Sequence, residues 1–219
     1  MVKVKICGVT TFDDALFAAQ AGADLLGLNF YKSSPRYITP EDAQVLCDNL
    51  RSELGAETPV LVGVFVNEVV GKISAITNQV GLDAAQLHGD ESDNMLKELR
   101  GIAFKAIQPL NVAMAQDDLN YYAPTFPQNE RLPSLLLDAY HPTLRGGTGE
   151  MTGTEIIVSV RDRVPRLMIA GGLTAENVGQ RVTAIHVWGV DVASGVENGT
   201  PGVKDRSKVQ TFIQAAKSP

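Results

Sequence analysis

Apolar positions along the chain follow two alternating periodicities. Short runs rich in Val, Ile and Leu are typical of buried parallel strands, and longer segments between them repeat apolar residues every three or four positions, as amphipathic helices do. The eight predicted strands have the sequences VKVKIC, ADLLGLNF, PVLVGVFV, AAQLHG, FKAIQPL, SLLLDAY, RLMIAGG and GVDVAS. A last helix, KVQTFIQAAK, follows the eighth strand.

The residues at the helix boundaries agree with this alternation. Thr11 and Thr39 each precede a helical segment and are followed three positions later by an acidic residue, which is the pattern of an N-terminal capping box. Pro40 takes the first helical position of the second helix, where its missing N–H loses no hydrogen bond. The glycines expected to end helices in a left-handed conformation are Gly22, Gly81 and Gly101.

Eight strands that alternate with helices favour an α/β fold, a (β/α)8 TIM barrel with a parallel eight-stranded sheet. A doubly wound open sheet is the alternative, but eight regular units and a terminal helix favour closure. A length of 219 residues fits such barrels. Because no linker, repeat or low-complexity segment divides the chain, we predict that residues 1–219 form a single domain.

Composition and charge narrow the classes of function. Hydrophobic residues make up 44% of the chain and charged residues 20%, which is typical of a globular protein with a substantial core. A net charge of −6 argues against a nucleic-acid partner or an anionic membrane surface. No stretch approaches a membrane span or a targeting signal. The two cysteines, Cys7 and Cys47, lack paired spacing, which argues against a metal site or disulfide scaffold and favours a reducing cytoplasm.

Strand parity brings several polar side chains to one mouth of the predicted barrel. The apolar positions of the first strand should face the helices, so Lys5 and Cys7 should face the interior. Asp138 ends the sixth strand on its inward face, and His88 shares a face of the fourth strand with Gln86. Because reactive groups in such barrels lie at the carboxyl ends of strands, a thiol and a carboxylate are expected to converge there.

Each of these residues also has a purely structural interpretation. A lone buried cysteine is more often a small hydrophobic residue than a catalyst, and we interpret Cys47, in the middle of a helix, as core packing. Asp138 could cap a loop, although a carboxylate that ends an apolar run is costly to bury without a partner. His88 fits a structural or substrate-orienting residue better than a base. Cys7 and Asp138 are therefore candidates for a general base and a general acid that act without a metal.

Glycines after the seventh and eighth strands indicate a phosphate site. Gly171 and Gly172 follow the seventh strand, with Thr174 as the predicted N-cap of the next helix, and Ser194 and Gly195 follow the eighth. Backbone N–H groups and a helix N-terminus suit an anion, and glycine lets the backbone approach it closely. Ordinary helix-entry turns are the structural alternative.

Two further sequences bear on the site. Arg36 in KSSPR, after the second strand, is suited to a bidentate contact with a carboxylate, and a solvated surface arginine is the alternative. Asn29, at the end of the same strand, is polar and is expected to line the pocket. The sequence GGTGEMTG, after the sixth strand, does not match a dinucleotide-binding fingerprint, so we interpret it as a loop.

The ordered set of these sequences resembles the phosphoribosylanthranilate isomerase family of tryptophan biosynthesis. The matching blocks, between Lys5 and Asp205, are KICGVT, SPR, VGVFV, QLHGDE, LLLDA, GGTG, IAGGLTAENV and GVDVASGVE…PGVKD. The resemblance implies a cofactor-free Amadori rearrangement that converts N-(5-phosphoribosyl)anthranilate into 1-(2-carboxyphenylamino)-1-deoxyribulose 5-phosphate. The sequence EMTGTEIIVSV departs from the family pattern and leaves the start of the sixth helix open.

The resemblance also implies roles for individual residues. The family's general base falls on Cys7, its general acid on Asp138, and its carboxylate-binding arginine on Arg36. These roles require a site that favours the thiolate, with Lys5 as a helper, and that raises the pKa of the carboxylic acid. The family's phosphate loops match Gly171, Gly172, Ser194 and Gly195. Lys5, Asn29 and His88 are further candidate pocket residues.

The expected partner is a small phosphorylated substrate, without metal, cofactor, nucleic acid or membrane, and a monomer is favoured although the oligomeric state stays open. One alternative is the histidine-pathway isomerase, which performs the same rearrangement on a related phosphoribosyl substrate. That family has two catalytic aspartates and half-barrel symmetry, whereas here the first strand ends in Cys7 and no half repeat is convincing. The other alternative is an inactive barrel that only binds a phosphorylated ligand or a partner protein.

Overall fold

The strands predicted from the sequence close into a barrel. The computed structural model describes residues 1–138 and 149–218, and in these ranges eight parallel strands pair in chain order, the last with the first. They are β1 (Lys3–Cys7), β2 (Leu25–Asn29), β3 (Val60–Phe65), β4 (Ala84–Leu87), β5 (Ala103–Ile107), β6 (Leu135–Asp138), β7 (Leu167–Ala170) and β8 (Gly189–Val192). The predicted (β/α)8 barrel is confirmed.

A helix follows each strand of the described chain. The helices are α1 (Phe12–Gln20), α2 (Pro40–Leu54), α3 (Val70–Val80), α4 (Asp93–Glu98), α5 (Val112–Tyr122), α6 (Gly149–Arg161), α7 (Val178–Ile185) and α8 (Arg206–Lys217). Short 3-10 turns occupy Gly55–Glu57, Ala123–Thr125 and Ser194–Val196. Within the described ranges, none of the helices has the length and apolarity needed to cross a bilayer.

The predicted caps of α1 and α2 are confirmed. The hydroxyl of Thr11 accepts a hydrogen bond from the backbone N–H of Asp14 at 3.2 Å, and that of Thr39 accepts one from Asp42 at 3.1 Å. Pro40 is the first residue of α2. The three glycines expected to be left-handed, Gly22, Gly81 and Gly101, have φ angles of 103°, 70° and 81°. These local signals therefore fix where the early helices begin and end.

Two predicted boundaries are wrong. Thr174 is not the N-cap of α7, because a turn precedes the helix and the backbone N–H of Thr174 donates to the Asn177 side chain at 2.9 Å. Helix α6 begins at Gly149, so the second half of GGTGEMTG is helical and not a loop. The rest of that predicted loop falls in residues 139–148, which lie outside the described residues.

Strand parity divides the apolar residues into two layers. Outward residues of the strands, such as Val4 and Ile6 of β1, pack with the helices in the larger cluster. A separate cluster fills the barrel interior and includes Leu25, Val62, Phe104, Leu136 and Met168. Lys5 is 0% exposed on the inward side of β1, as its parity predicts. The barrel interior is thus packed mostly with apolar side chains, and Lys5 is a buried charge among them.

Candidate active site

A cavity of about 250 Å³ opens at the carboxyl ends of the strands. Its lining contains nearly every residue that the sequence analysis singled out: Cys7, Asn29, Arg36, His88, Asp138, Gly171, Gly172, Ser194 and Gly195. Lys5 was a further candidate pocket residue, but it is fully buried and does not line the cavity. The cavity lies on the face where barrels of this class carry their chemistry.

Cys7 ends β1 in a tightly packed corner of this cavity. Its sulfur lies so close to β2 that a Cβ added at Gly27 would be 2.7 Å from Sγ, so glycine leaves the room that the thiol occupies. Burial raises the pKa of Cys7, and the ammonium of Lys5 lowers it only in part. Lys5 therefore acts in the expected direction, but the expectation that the site favours the thiolate is wrong for this arrangement of residues.

Lys5 and Asp191 form a buried ion pair behind the thiol. Nζ of Lys5 lies 3.1 Å from Oδ2 of Asp191, which is next to it in the register of β1 and β8. Burial lowers the pKa of Lys5, but the charge and the hydrogen bond of Asp191, together with the contact to Cys7, outweigh burial and raise the pKa overall. The other oxygen of Asp191, Oδ1, is buried without a hydrogen-bond partner in the described chain. Asp191 is not among the residues predicted from the sequence, although a carboxylate within the apolar run GVDV carries the same signal as Asp138.

Asp138 ends β6 on the inward side and is held by two neighbouring side chains. Nε2 of Gln108 donates to its Oδ2 at 2.7 Å, and Nε2 of His88 lies 3.4 Å from the same oxygen. Burial raises the pKa of Asp138, but these two donors outweigh it and lower the pKa overall. The expected raised pKa is therefore wrong. Gln108 was also missed, although a polar residue just after a barrel strand is a signal for such a role.

His88 connects this carboxylate to β4. Nδ1 of His88 lies 2.7 Å from Nε2 of Gln86. With that amide donating, Nδ1 accepts a hydrogen bond and Nε2 carries the proton toward Asp138. His88 is thus a donor to Asp138, and this contact fits the structural role that the sequence analysis considered for it.

Arg36 contacts a carboxylate of the protein itself. Its Nε and Nη2 donate to Oε1 and Oε2 of Glu197 at 2.6 and 2.7 Å. Glu197 is buried, but Arg36, the Gly202 N–H and Lys204 outweigh that burial and lower its pKa to about 2. Glu197 is not predicted as the partner of Arg36 from the sequence, since no local pattern links two residues 161 positions apart.

The glycine loops after β7 and β8 lie against each other at one end of the cavity. Gly171 and Gly172 have φ angles of 89° and 63°, which other residues rarely adopt. A Cβ at position 195 would lie 2.0 Å from the carbonyl oxygen of Leu173, so the two loops meet only because Gly195 has no side chain. Ser194 begins the short turn that follows β8. Two adjoining loops of this kind suit an anion such as phosphate.

The arrangement as a whole is suited to proton transfer. A thiol and a carboxylate share one cavity with an arginine and two glycine loops. Among the described residues, no three His, Cys, Asp or Glu side chains gather closely enough to hold a metal ion. A thiol and a carboxylate in one cavity with an arginine can move protons on a small anionic molecule by general acid–base catalysis.

Comparison with known proteins identifies a consistent set of relatives. Residues 4–215 match the family described as N-(5'-phosphoribosyl)anthranilate (PRA) isomerase. The N-(5'-phosphoribosyl)anthranilate isomerase of Trichlorobacter lovleyi is 39% identical over 217 residues, covering 99% of this chain and 98% of its own. The crystal structure of phosphoribosyl anthranilate isomerase from Thermotoga maritima has a TM-score of 0.85 and 38% identity, with 100% of both chains covered.

A further solved structure was obtained with a bound molecule. It is a phosphoribosyl anthranilate isomerase in complex with reduced 1-(o-carboxyphenylamino)-1-deoxyribulose 5-phosphate. Its TM-score is 0.82 and its identity 35%, with 100% of both chains covered.

Proposed function

The chain belongs to the phosphoribosylanthranilate isomerase family, and from this premise we propose that Cys7 and Asp138 carry its reaction as general base and general acid. The activity is the rearrangement of N-(5-phosphoribosyl)anthranilate to 1-(2-carboxyphenylamino)-1-deoxyribulose 5-phosphate, an aldose–ketose isomerisation of tryptophan biosynthesis. One observation carries the assignment of roles: the thiol and the carboxylate line a single cavity together with Arg36 and the two glycine loops.

The acid step opens the sugar ring. Protonated Asp138 donates its proton to the ring oxygen, the bond from C1 to that oxygen breaks, and the lone pair of the nitrogen forms a protonated imine at C1. His88 and Gln108 face the oxygen Oδ2 of Asp138 and stabilise the carboxylate that this step produces.

The base step moves a proton from carbon. The thiolate of Cys7 removes the proton of C2, the electrons of that C–H bond form a double bond between C1 and C2, and the imine becomes a neutral enolamine. The enolamine then gains a proton at C1 and loses one from the C2 hydroxyl, which gives the ketone. Lys5 lies beside the sulfur and stabilises the thiolate for as long as it exists.

The protonation states favoured by the site are the reverse of those that the two steps use. The pKa of Cys7 is raised by burial and that of Asp138 is lowered overall by its donors, so between the two pKa values the protonated thiol and the carboxylate are the favoured forms. The active pair forms when Cys7 has lost a proton and Asp138 has gained one. The fraction of active pairs is small, but it is constant between the two pKa values because the number of protons does not change there.

The two anionic ends of the substrate have separate binding groups in this proposal. Arg36 has five N–H donors and gives only two of them to Glu197, so it retains donors for the anthranilate carboxylate. The backbone of Gly171, Gly172, Ser194 and Gly195 binds the phosphate. Asn29 also lines the cavity, and its Oδ1 accepts a hydrogen bond from the Tyr31 N–H at 2.9 Å, which fixes its orientation.

Substitution of the two reacting groups tests the proposal. The disappearance of anthranilate fluorescence follows the consumption of substrate. We expect Cys7→Ala and Asp138→Asn each to lower kcat by about 10²–10⁴-fold, which is the usual contribution of a positioned acid or base. Cys47→Ala is the matched control, because Cys47 lies in the core and its burial raises the pKa of its thiol to about 12. Turnover near that of the wild type in either active-site variant would refute the assigned roles.

Three properties of the chain stay predictions. They are a cytoplasmic location, a monomeric state and a single domain over residues 1–219. Light scattering during size-exclusion chromatography measures the mass in solution, and a value of twice the chain mass would contradict the monomer.

A further inference from the structure

Glu197 is a buried carboxylate that takes no part in the reaction steps above. It is 5% exposed and lies in the loop between β8 and α8. Its oxygens accept the two bonds from Arg36, a third from the Gly202 N–H at 2.9 Å and a fourth from Nζ of Lys204 at 3.2 Å. A carboxylate buried with this many donors is fully compensated and has one fixed position.

The contact with Glu197 fixes the plane of the Arg36 guanidinium. Two parallel hydrogen bonds through Nε and Nη2 define both the position and the rotation of that planar group. Three donors are unused, and two of them, one N–H of Nη1 and the remaining N–H of Nη2, are parallel and form a second edge suited to a carboxylate. Gly8 closes the other side, since a Cβ there would lie 2.5 Å from Cδ of Arg36.

Further contacts make this anchor rigid. Lys208 donates from Nζ to the backbone oxygen of Glu197 at 2.8 Å, and Lys204 reaches the oxygen of Ala193 at 3.2 Å. The hydroxyl of Thr10, in the loop after β1, donates to the oxygen of Gly202 at 2.8 Å. Loops after β1, β2 and β8 are thus connected by Glu197 and by the backbone of Gly202, and Arg36 is the charged side chain of this cluster that lines the cavity.

We propose that Glu197 is a positioning residue that aims the free edge of Arg36 at the aryl carboxylate of the substrate and so sets the preference for a carboxylate-bearing substrate. The inference rests on the role proposed above for Arg36. Glutamine at position 197 keeps the size of the side chain but replaces one acceptor with a donor, which cannot face an N–H of the guanidinium. Glu197→Gln therefore breaks the two-bond contact without opening a cavity.

Two substrates separate aiming from mere support of the fold. The first is N-(5-phosphoribosyl)anthranilate, and the second is the same compound made from aniline, which lacks the carboxylate. The measured quantity is the ratio of their kcat/KM values in the wild type, Glu197→Gln, Arg36→Ala and the double variant. Asp24→Asn is the matched control, because Asp24 also pairs with two basic residues, Lys3 and Lys217, at 2.8 Å, at the opposite end of the barrel.

The expected effects follow from Arg36 acting directly and Glu197 acting through it. Arg36→Ala should lower the ratio by about 10- to 100-fold, as loss of a charge-assisted hydrogen-bonded contact does. Glu197→Gln should lower the ratio about tenfold through KM for the anthranilate substrate, with kcat and the aniline substrate little changed. The double variant should match Arg36→Ala, because a residue that acts only through another has no effect once that other is gone. Asp24→Asn should leave the ratio unchanged.

The outcomes separate the inference from the proposed function. Equal losses for both substrates in Glu197→Gln would overturn the inference, since a general structural role lowers both. A ratio that collapses in Arg36→Ala but not in Glu197→Gln would overturn the inference alone and leave the role of Arg36 intact. A ratio unchanged in Arg36→Ala would overturn both. If Glu197→Gln fails to fold, the same ratio of kcat/KM values is measured in Glu197→Asp, which retracts the carboxylate by one methylene. The same decrease of the ratio is expected there.

Discussion

Two buried lysine–carboxylate pairs lie on opposite faces of the same sheet and differ in how completely their atoms are paired. Lys105 of β5 faces the helices, with Nζ 3.2 Å from Oε2 of Glu91. Lys5 of β1 faces the barrel interior, with Nζ 3.1 Å from Oδ2 of Asp191. The two lysines are 3% and 0% exposed, so burial does not distinguish the pairs.

The Lys105–Glu91 pair is saturated with hydrogen bonds. Besides Glu91, Nζ of Lys105 donates to the backbone oxygens of Leu87, Gly89 and Ala106 at 3.1, 2.6 and 2.7 Å. Glu91 accepts the backbone N–H groups of Asn67 and Gly89, each at 2.8 Å. A network this complete rigidifies the loop after β4, which carries His88.

The Lys5–Asp191 pair is open by comparison. Oδ1 of Asp191 has no hydrogen-bond partner in the described chain, and the sulfur of Cys7 lies beside Lys5. Burial lowers the pKa of Lys105 despite Glu91, whereas the charges around Lys5 raise its pKa. The two pairs are equally buried and differ in how completely they are hydrogen-bonded. The fully bonded Lys105–Glu91 pair fixes a loop, whereas the incompletely bonded Lys5–Asp191 pair places a charge beside a reactive thiol.

Removal of Lys5 should have the largest effect. Lys5→Met leaves Asp191 buried without its counterion, which costs about 3–5 kcal/mol of folding stability. It also removes the charge that opposes the raised pKa of Cys7, so kcat/KM of the folded protein should fall by about 10²-fold, within the range of base catalysis. The pH dependence of Cys7 alkylation by iodoacetamide measures the thiol directly. An alkylation midpoint equal to that of the wild type would show that Lys5 does not act on the sulfur.

Removal of Lys105 should lower stability and should affect catalysis far less than removal of Lys5. Lys105→Met likewise leaves a buried carboxylate unpaired and should lower the free energy of unfolding by about 3–5 kcal/mol, measured by urea denaturation. Because Lys105 lies outside the cavity, kcat should stay close to that of the wild type wherever the protein is folded. A loss of kcat as large as that of Lys5→Met would erase the distinction between the two pairs.

The inward placement of a strand residue can be predicted from the sequence, whereas the pairing of residues on distant loops cannot. The alternation within β1 was enough to place Lys5 and Cys7 inside the barrel, because the direction of a side chain on a strand is a local property. The same reasoning places Asp191 inside β8, so its omission was an error of interpretation and not of information. The pairing of Arg36 with Glu197 is different, since it depends on two loops that meet only in the closed barrel.

The pKa directions were the part that sequence reasoning predicted wrongly. A carboxyl at a barrel mouth was expected to lose hydration and gain proton affinity, and burial does act that way on Asp138. The outcome is reversed by His88 and Gln108, which reach it from β4 and from the end of β5. The sign of such a shift depends on donors from other strands, and these are known only once the register is known.

Removal of the charge on Asp191 should change the pKa of the Cys7 thiol, with a smaller effect on the enzyme than loss of Lys5. Asp191 raises the pKa of Cys7, so Asp191→Asn should move the alkylation midpoint of the thiol to lower pH. Glu91→Gln is the matched control, because Glu91 lies away from the cavity and should leave that midpoint unchanged. A midpoint that moves upward in Asp191→Asn would mean that loss of a fixed Lys5 outweighs loss of the carboxylate charge.

The smallest expected effect is a shift in the pH dependence of kcat/KM when His88, on the loop after β4, is replaced. The acidic limb of kcat/KM reports deprotonation of Asp138, since below its pKa both reacting groups are protonated and no thiolate forms. His88 favours the carboxylate form and lowers that pKa, so His88→Ala should raise it and move the limb to higher pH. His186→Ala, a substitution at the end of α7, is the control and should leave the limb in place. A limb that stays in place in His88→Ala would mean that Gln108 alone sets the proton affinity of Asp138, and Gln108→Ala should then show the whole shift.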